Sequence, residues 1–246
     1  MTIVNLYESP ALRTVSGPVI RPGGFALTDR GLTRCCLAKG TPVLDIGCGT
    51  GAVVDYLRRR HCLAAVGLDR SALLLSEGVR IHPGSPLVRG QAERLPAAAG
   101  CFGAVLCECV LSLCPDPQRV LQETLRVLRP GGHLVLTDLY RRGTNAGAQT
   151  REIGVRSCLQ GAVNRSTTQS RVRGAGFNEM IWEDHTGLLK QLAAQLIWTY
   201  GSLDAFWGAV GGPDAARAMR RREDLDTCSR PGYYLLVARK PVPVQK

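Results

Sequence analysis

Residue types and spacing first imply chemistry in the stretch Val43-Leu44-Asp45-Ile46-Gly47-Cys48-Gly49-Thr50-Gly51. Glycines in a turn between a strand and a helix let a ligand approach backbone N–H groups, because a Cβ there would block it. The spacing Asp45-x-Gly47-x-Gly49-x-Gly51 differs from the G-x-G-x-x-G of dinucleotide folds, and an acid stands just ahead of the first glycine. That carboxylate would repel a pyrophosphate and suits a cationic or zwitterionic ligand. Asp69 follows twenty-two residues after Gly47, closing the next strand pattern, where an acidic side chain can accept hydrogen bonds from both hydroxyls of a ribose. Its alternative is a turn or capping role ahead of Ser71.

Other candidates are sparser. The ten cysteines (35, 36, 48, 62, 101, 107, 109, 114, 158 and 228) fall mostly inside apolar runs, without a Cys-x-x-Cys pair. The four histidines (61, 82, 133 and 185) are far apart, so no structural metal site is expected and most thiols are read as reduced core groups. His133 and His185 qualify as a base by residue type alone, His133 reading as structural because it opens a strand.

The elements that must hold these residues alternate strand and helix. Strands are expected at 43–47, 64–69, near Leu87-Val88, in the first half of 102–113, at 133–139, 177–183 and 233–240. Helices are expected at 29–38 with Thr28 as cap, near 51–60, at 71–79 and from Asp116 to Leu128, ending before Pro130-Gly131-Gly132. Residues 1–25, with Pro10, Pro18, Pro22 and Gly23-Gly24, read as an irregular arm. This predicts an α/β fold: a Rossmann-like, seven-stranded, mostly parallel sheet with an antiparallel last strand and helices on both faces. A single domain is expected over 1–246: an arm and helix (1–40), a cofactor-binding core (41–183), a helical cap insertion (184–232) and a last strand with tail (233–246). The insertion's Leu188, Leu189, Leu192, Leu196, Ile197, Trp198, Tyr200, Phe206 and Trp207 either pack on the sheet or line a pocket.

Together with GQAERLP at 90–96 and RVLRPGGHLVLTDLY at 126–140, these motifs resemble the class I S-adenosylmethionine-dependent methyltransferases, over roughly residues 40 to 183. The ubiquinone-biosynthesis and arsenite methyltransferases are the nearest group by this resemblance. It implies that S-adenosylmethionine is the cofactor and S-adenosylhomocysteine the product. It also implies that Gly47, Gly49 and Gly51 line the methionine and ribose side, that Asp69 holds the ribose, and that Ala92 and Glu93 border the adenine. Gln91 stands where the family often has Asp, and Arg70 where an apolar residue covers the adenine face, so an amide and a stacked guanidinium are expected instead. Asp45, Cys48 and Cys107 complete the expected cofactor-binding set. Such enzymes need little from the protein at the methyl group beyond positioning and exclusion of water, so no base is readable from the motifs.

For the acceptor, Glu108-Cys109-Val110 and Cys158-Leu159-Gln160-Gly161-Ala162 resemble segments of arsenite methyltransferases. Cys158, Cys109 and His185 are therefore the candidates for a catalytic role, and Cys158 and Cys228 for binding a thiophile; buried inert thiols are the other reading. The expected function is methyl transfer to a small molecule. Alternatives are a thiophilic substrate such as arsenite, an RNA or protein substrate, and a cofactor-binding subunit without catalysis. The formal charge of +11 comes with 27 Arg among 31 basic residues, and the Arg-rich run 141–173 reads as a solvated face or an anion site. A nucleic-acid partner is not expected, because the segment after Leu106 lacks an Asn-Pro-Pro-Tyr type motif. The longest apolar runs fall short of the ~20 residues that span a bilayer, and no signal-peptide pattern opens the chain, so a cytoplasmic location without membrane insertion is expected. The sequence leaves the oligomeric state open.

Overall fold

The computed structural model describes residues 4–143, 155–225 and 230–243. In chain order these form β1 (Val4–Asn5), α1 (Pro10–Ser16), α2 (Gly24–Leu32), β2 (Pro42–Ile46), α3 (Ala52–His61), β3 (Ala64–Asp69), α4 (Ala72–Ile81), β4 (Leu87–Arg89) and β5 (Phe102–Glu108). Then come a 3₁₀ turn (Leu111–Leu113), α5 (Pro117–Val127), β6 (Leu128–Arg142), β7 (Val155–Arg156), α6 (Cys158–Gly161), α7 (Arg165–Gly174), β8 (Asn178–Asp184), α8 (Thr186–Tyr200), α9 (Leu203–Leu225) and β9 (Arg230–Arg239).

Seven strands make one sheet in the order β4-β3-β2-β5-β6-β9-β8, and β9 alone runs antiparallel to its neighbours. This is the expected Rossmann-like sheet. Strand alternation divides the core in two. Tyr233, Leu235 and Val237 of β9 pack with Leu27 and Leu57 of α2 and α3, while Tyr234, Leu236 and Ala238 pack with Leu121 and Val172 of α5 and α7. Each face therefore has its own helical cover, and each fully buried large side chain contributes roughly 1.5–3 kcal/mol.

Three local readings need correction. The arm is not irregular throughout: Ser9 caps α1 by accepting from the Ala11 N–H at 3.3 Å, and Pro10 occupies the first helical position, where its missing N–H costs nothing. The next helix spans Gly24–Leu32, so Thr28 is not its cap but a fully buried residue inside it. Pro130-Gly131-Gly132 does not precede a strand but lies within β6: pairing passes from Phe102–Leu128 to Ala104–His133, and the residues between bulge out.

The helices between β8 and β9 do not roof the sheet with their aromatic residues. Leu196, Phe206 and Trp207 instead form a third cluster with Leu6 and Leu12 of the N-terminal arm and Val155 of β7, where β1 and β7 pair in parallel. Leu188 and Leu189 pack against the sheet core, and Trp198 is 92% exposed. Gly211, Gly212 and Pro213 kink α9. Among the described residues no helix is long and apolar enough to cross a membrane.

Candidate functional site

Strands β2, β3 and β5 are parallel, so Ile46, Asp69 and Glu108 end along the same edge of the sheet. From β2 the chain turns to β3 and β4 on one side and returns to β5 on the other. The crevice above the ends of β2 and β5 is thus the topological switch point, where open α/β sheets bind ligands.

A cavity of about 470 Å³ opens there, and its wall includes Asp45, Gly47, Cys48, Gly49, Asp69, Arg70, Gln91, Ala92 and Glu93. The turn after β2 is held from the next strand: the N–H groups of Gly47 and Cys48 both donate to the Leu68 carbonyl, at 2.7 and 3.1 Å. Asp69 Oδ2 accepts from the Gly49 N–H at 2.8 Å, and Oδ1 accepts from the Ser71 N–H at 2.8 Å. Gly47 (φ +74°) and Gly49 (φ +55°) both lie in the left-handed region. They differ in surroundings. A Cβ on Gly47 would collide with Val110, whereas one on Gly49 would meet nothing nearer than Leu74 Cδ1 at 4.0 Å. Gly49 therefore keeps open a concavity that a side chain would partly fill.

Two residues expected at this site stand outside the wall. Gly51 caps α3 and packs its backbone on Leu87, where a Cβ would come within 2.8 Å of Leu87 Cδ2. Cys107 is buried with Val120 and Leu136 on the other face of the sheet, because β5 alternates its side chains, and burial pushes its thiol up.

The far end of the cavity holds charges. Arg21 Nη2 donates to Glu108 Oε2 at 2.9 Å and to Thr28 Oγ1, and both ionic side chains are almost fully buried, at 3% and 4% exposure. Burial raises the Glu108 carboxyl above its usual range while Arg21 and Thr28 pull it back. Asp45 is raised further, by burial first and then by Glu108, with Arg21 opposing. A cationic ligand beside Asp45 would favour its ionised form. Arg21 Nη1 is buried without a hydrogen-bond partner.

Beneath this end lie the thiols. The ligating atoms of Cys109, Cys158 and Asp138 lie within 4.8 Å of one another, all three residues being buried. Cys109 is in the cavity wall and Cys158 is not. The Tyr233 hydroxyl donates to Thr137 Oγ1 at 3.0 Å, so the contact of 3.2 Å between Cys109 Sγ and that hydroxyl has the thiol donating. A hydrogen bond with Cys158 and burial push that thiol up. His185 is not brought to the site: it precedes α8, its Nε2 lies 3.1 Å from Glu183 Oε2, and it is absent from the cavity wall. His133 is half-buried in β6, its imidazole lowered by burial, then by Arg239 and Arg129. Cys228 and part of the Arg-rich run lie outside the described residues.

Sequence reasoning missed Arg21, Thr28 and Tyr7, the last lying in the cavity wall and accepting from the Cys158 N–H at 3.2 Å. One signal was available: Glu108 is a lone acid in the apolar run FGAVLCECVL, and a buried acid needs a counter-charge.

Residues 44–136 match the family model described as a methyltransferase domain. A phthiotriol/phenolphthiotriol dimycocerosates methyltransferase of Mycobacterium ulcerans (strain Agy99) is 40% identical over 104 residues, covering 41% of this chain and 38% of that protein. Methyltransferase GfsG of Streptomyces halstedii is 26% identical over 235 residues, covering 89% and 81%. Among solved structures, the [4+2]-cyclase SpnF superposes with a TM-score of 0.75 at 26% identity, covering 97% of this chain and 95% of that one. The chain spans 38 to 52% of the length of the first curated relatives it matches. The glycine turn, the acid closing β3 and the strand order accompany this match, and residues 44–136 carry a methyltransferase domain.

Proposed function

We propose that the chain is a methyltransferase that binds S-adenosylmethionine in the crevice above β2 and β5 and transfers its methyl group to a small-molecule acceptor held in the same cavity. The observation that carries this reading is the convergence of Asp45, the open turn at Gly49 and Asp69 on one cavity wall. S-adenosylmethionine supplies an electrophilic methyl group on a sulfonium whose departure leaves a neutral thioether.

The chain's own residues bind and orient. Each Asp69 oxygen already accepts one backbone N–H, which fixes the carboxylate and leaves lone pairs for the two ribose hydroxyls. Gly47 and Gly49 let the main chain approach the amino-acid arm. Asp45 offers a counter-charge to a sulfonium or ammonium group. Ala92 is buried and Glu93 partly so, giving an edge for the adenine, and the exposed Arg70 can stack on its face. In-line positioning of donor and acceptor within this cavity supplies much of the rate. The assay is incubation with S-adenosylmethionine and a panel of neutral small molecules, read as release of S-adenosylhomocysteine. Turnover that is lost in Asp69→Ala supports the reading, and cofactor binding with no release for any acceptor tells against it.

The near full-length similarity to a [4+2]-cyclase favours a second reading, ring formation within the same fold and cavity. A substrate consumed without S-adenosylhomocysteine release would select it.

A further inference from the structure

We propose that Arg21 and Glu108 form the acceptor-recognition pair, and that they select an uncharged, largely apolar molecule presenting a carbonyl oxygen beside a hydroxyl group. This deepens the methyltransferase reading and rests on it.

Both residues line the cavity, Glu108 at the end of β5, across β2 from the strands β3 and β4 that Arg70 and Gln91 follow. The pair is incompletely satisfied in a complementary way. On Arg21, Nη2 serves Glu108 and Thr28 while Nη1 is buried without a partner, a free donor on a fixed fork. On Glu108, Oε2 accepts from Arg21 at 2.9 Å, while Oε1 has only the Thr28 hydroxyl, at 3.4 Å and shared with Oε2 at the same distance, so Oε1 keeps a lone pair to offer. A ligand that accepts from Nη1 through a carbonyl oxygen and donates to Oε1 through a hydroxyl completes both, and the contact between Nη2 and Oε2 of the same two side chains favours carrying the two groups close together.

Charge decides against an anion. Arg21 and Glu108 neutralise each other, and Asp45 lies close enough to raise its own carboxyl through Glu108. A carboxylate ligand would add an unmatched charge in a place where burial penalises it. Val19, Ile20, Val110 and Leu113 add apolar wall that suits a hydrocarbon or aromatic body, and the lining Arg156 is engaged with the Leu113 carbonyl at 2.6 Å.

The experiment uses the full chain with S-adenosylhomocysteine bound, that binding being measured first by calorimetry. Three probes are then titrated: α-hydroxyacetophenone, acetophenone, which lacks the hydroxyl, and mandelate, which keeps ring and hydroxyl but carries a carboxylate. The expected result is that α-hydroxyacetophenone binds about tenfold tighter than either of the others, one missing or mismatched hydrogen-bonding group each. In Glu108→Gln, which keeps the shape and leaves Arg21 unmatched, the order of α-hydroxyacetophenone and mandelate inverts, an outcome a merely structural ion pair would not give. The wild-type order decides the proposal on its own should the variant fail to fold. Mandelate binding as well as α-hydroxyacetophenone, or no probe binding to a protein that does bind S-adenosylhomocysteine, overturns it. Failure to bind S-adenosylhomocysteine contradicts the methyltransferase reading itself, and the proposal with it.

Discussion

The Gly49 N–H donates to Asp69 Oδ2 at 2.8 Å, so the glycine turn after β2 is latched to the acid that ends β3. The proposed ribose ligand therefore also shapes the loop proposed to receive the rest of the cofactor. Asp69→Ala is expected to weaken S-adenosylhomocysteine binding by roughly 1–3 kcal/mol, the scale for losing a charge-assisted hydrogen-bonding partner. Calorimetric titration checks it, and unchanged affinity removes Asp69 from the site.

The two glycines of the turn after β2 that line the cavity separate binding from stability. Gly49→Ala places a methyl group in open space at positive φ, so it should cost about 1–2 kcal/mol of stability while abolishing cofactor binding. Gly47→Ala meets Val110 as well, adding about 1–3 kcal/mol of overpacking. Denaturant unfolding and binding, measured on both variants, give the comparison. Tight binding by Gly49→Ala would place the ligand elsewhere.

The buried Arg21–Glu108 pair makes single and double substitutions diverge. Arg21→Met leaves Glu108 buried and unpaired and should destabilise by roughly 3–5 kcal/mol, whereas Arg21→Met with Glu108→Gln should recover a large part of that loss. Additive effects in a double-mutant cycle would contradict the pairing.

Asp138 gives a pH signature. Its buried carboxyl is raised to about 6 from 3.8, with burial as the largest cause and hydrogen bonds from Ser112 and Leu139 opposing. The folded protein thus holds this proton over a pH range where the unfolded chain has released it. Stability from this group is greatest below about pH 4 and falls as pH rises through about 6, by up to roughly 3 kcal/mol. Asp138→Asn should flatten that segment of the curve of unfolding free energy against pH; an unaltered slope would assign it to another group.

Much of this architecture was legible before folding. The strand Ala64–Asp69 and the helix Pro117–Val127 follow from apolar periodicity bounded by turn and capping residues, Asp116 accepting from the Arg119 N–H at 3.0 Å as an N-cap should. The glycine turn and Asp69 were legible because local spacing encodes them. Arg21 with Glu108 was not, since the partners stand 87 residues apart and only the folded sheet brings the arm over the end of β5. The role of Thr28 was hidden in the same way: its side chain reads as a cap in sequence and bonds across the fold instead. Gly51 and Cys107 fell outside the cavity wall because motif membership does not say which face a residue presents.

The central claim is that the crevice above β2 and β5 binds S-adenosylmethionine. Calorimetric titration of S-adenosylmethionine into the purified, reduced protein tests it most directly. Saturable binding at one site in the micromolar range, lost in Gly49→Ala, is the predicted result; no heat of binding up to millimolar cofactor would contradict the account.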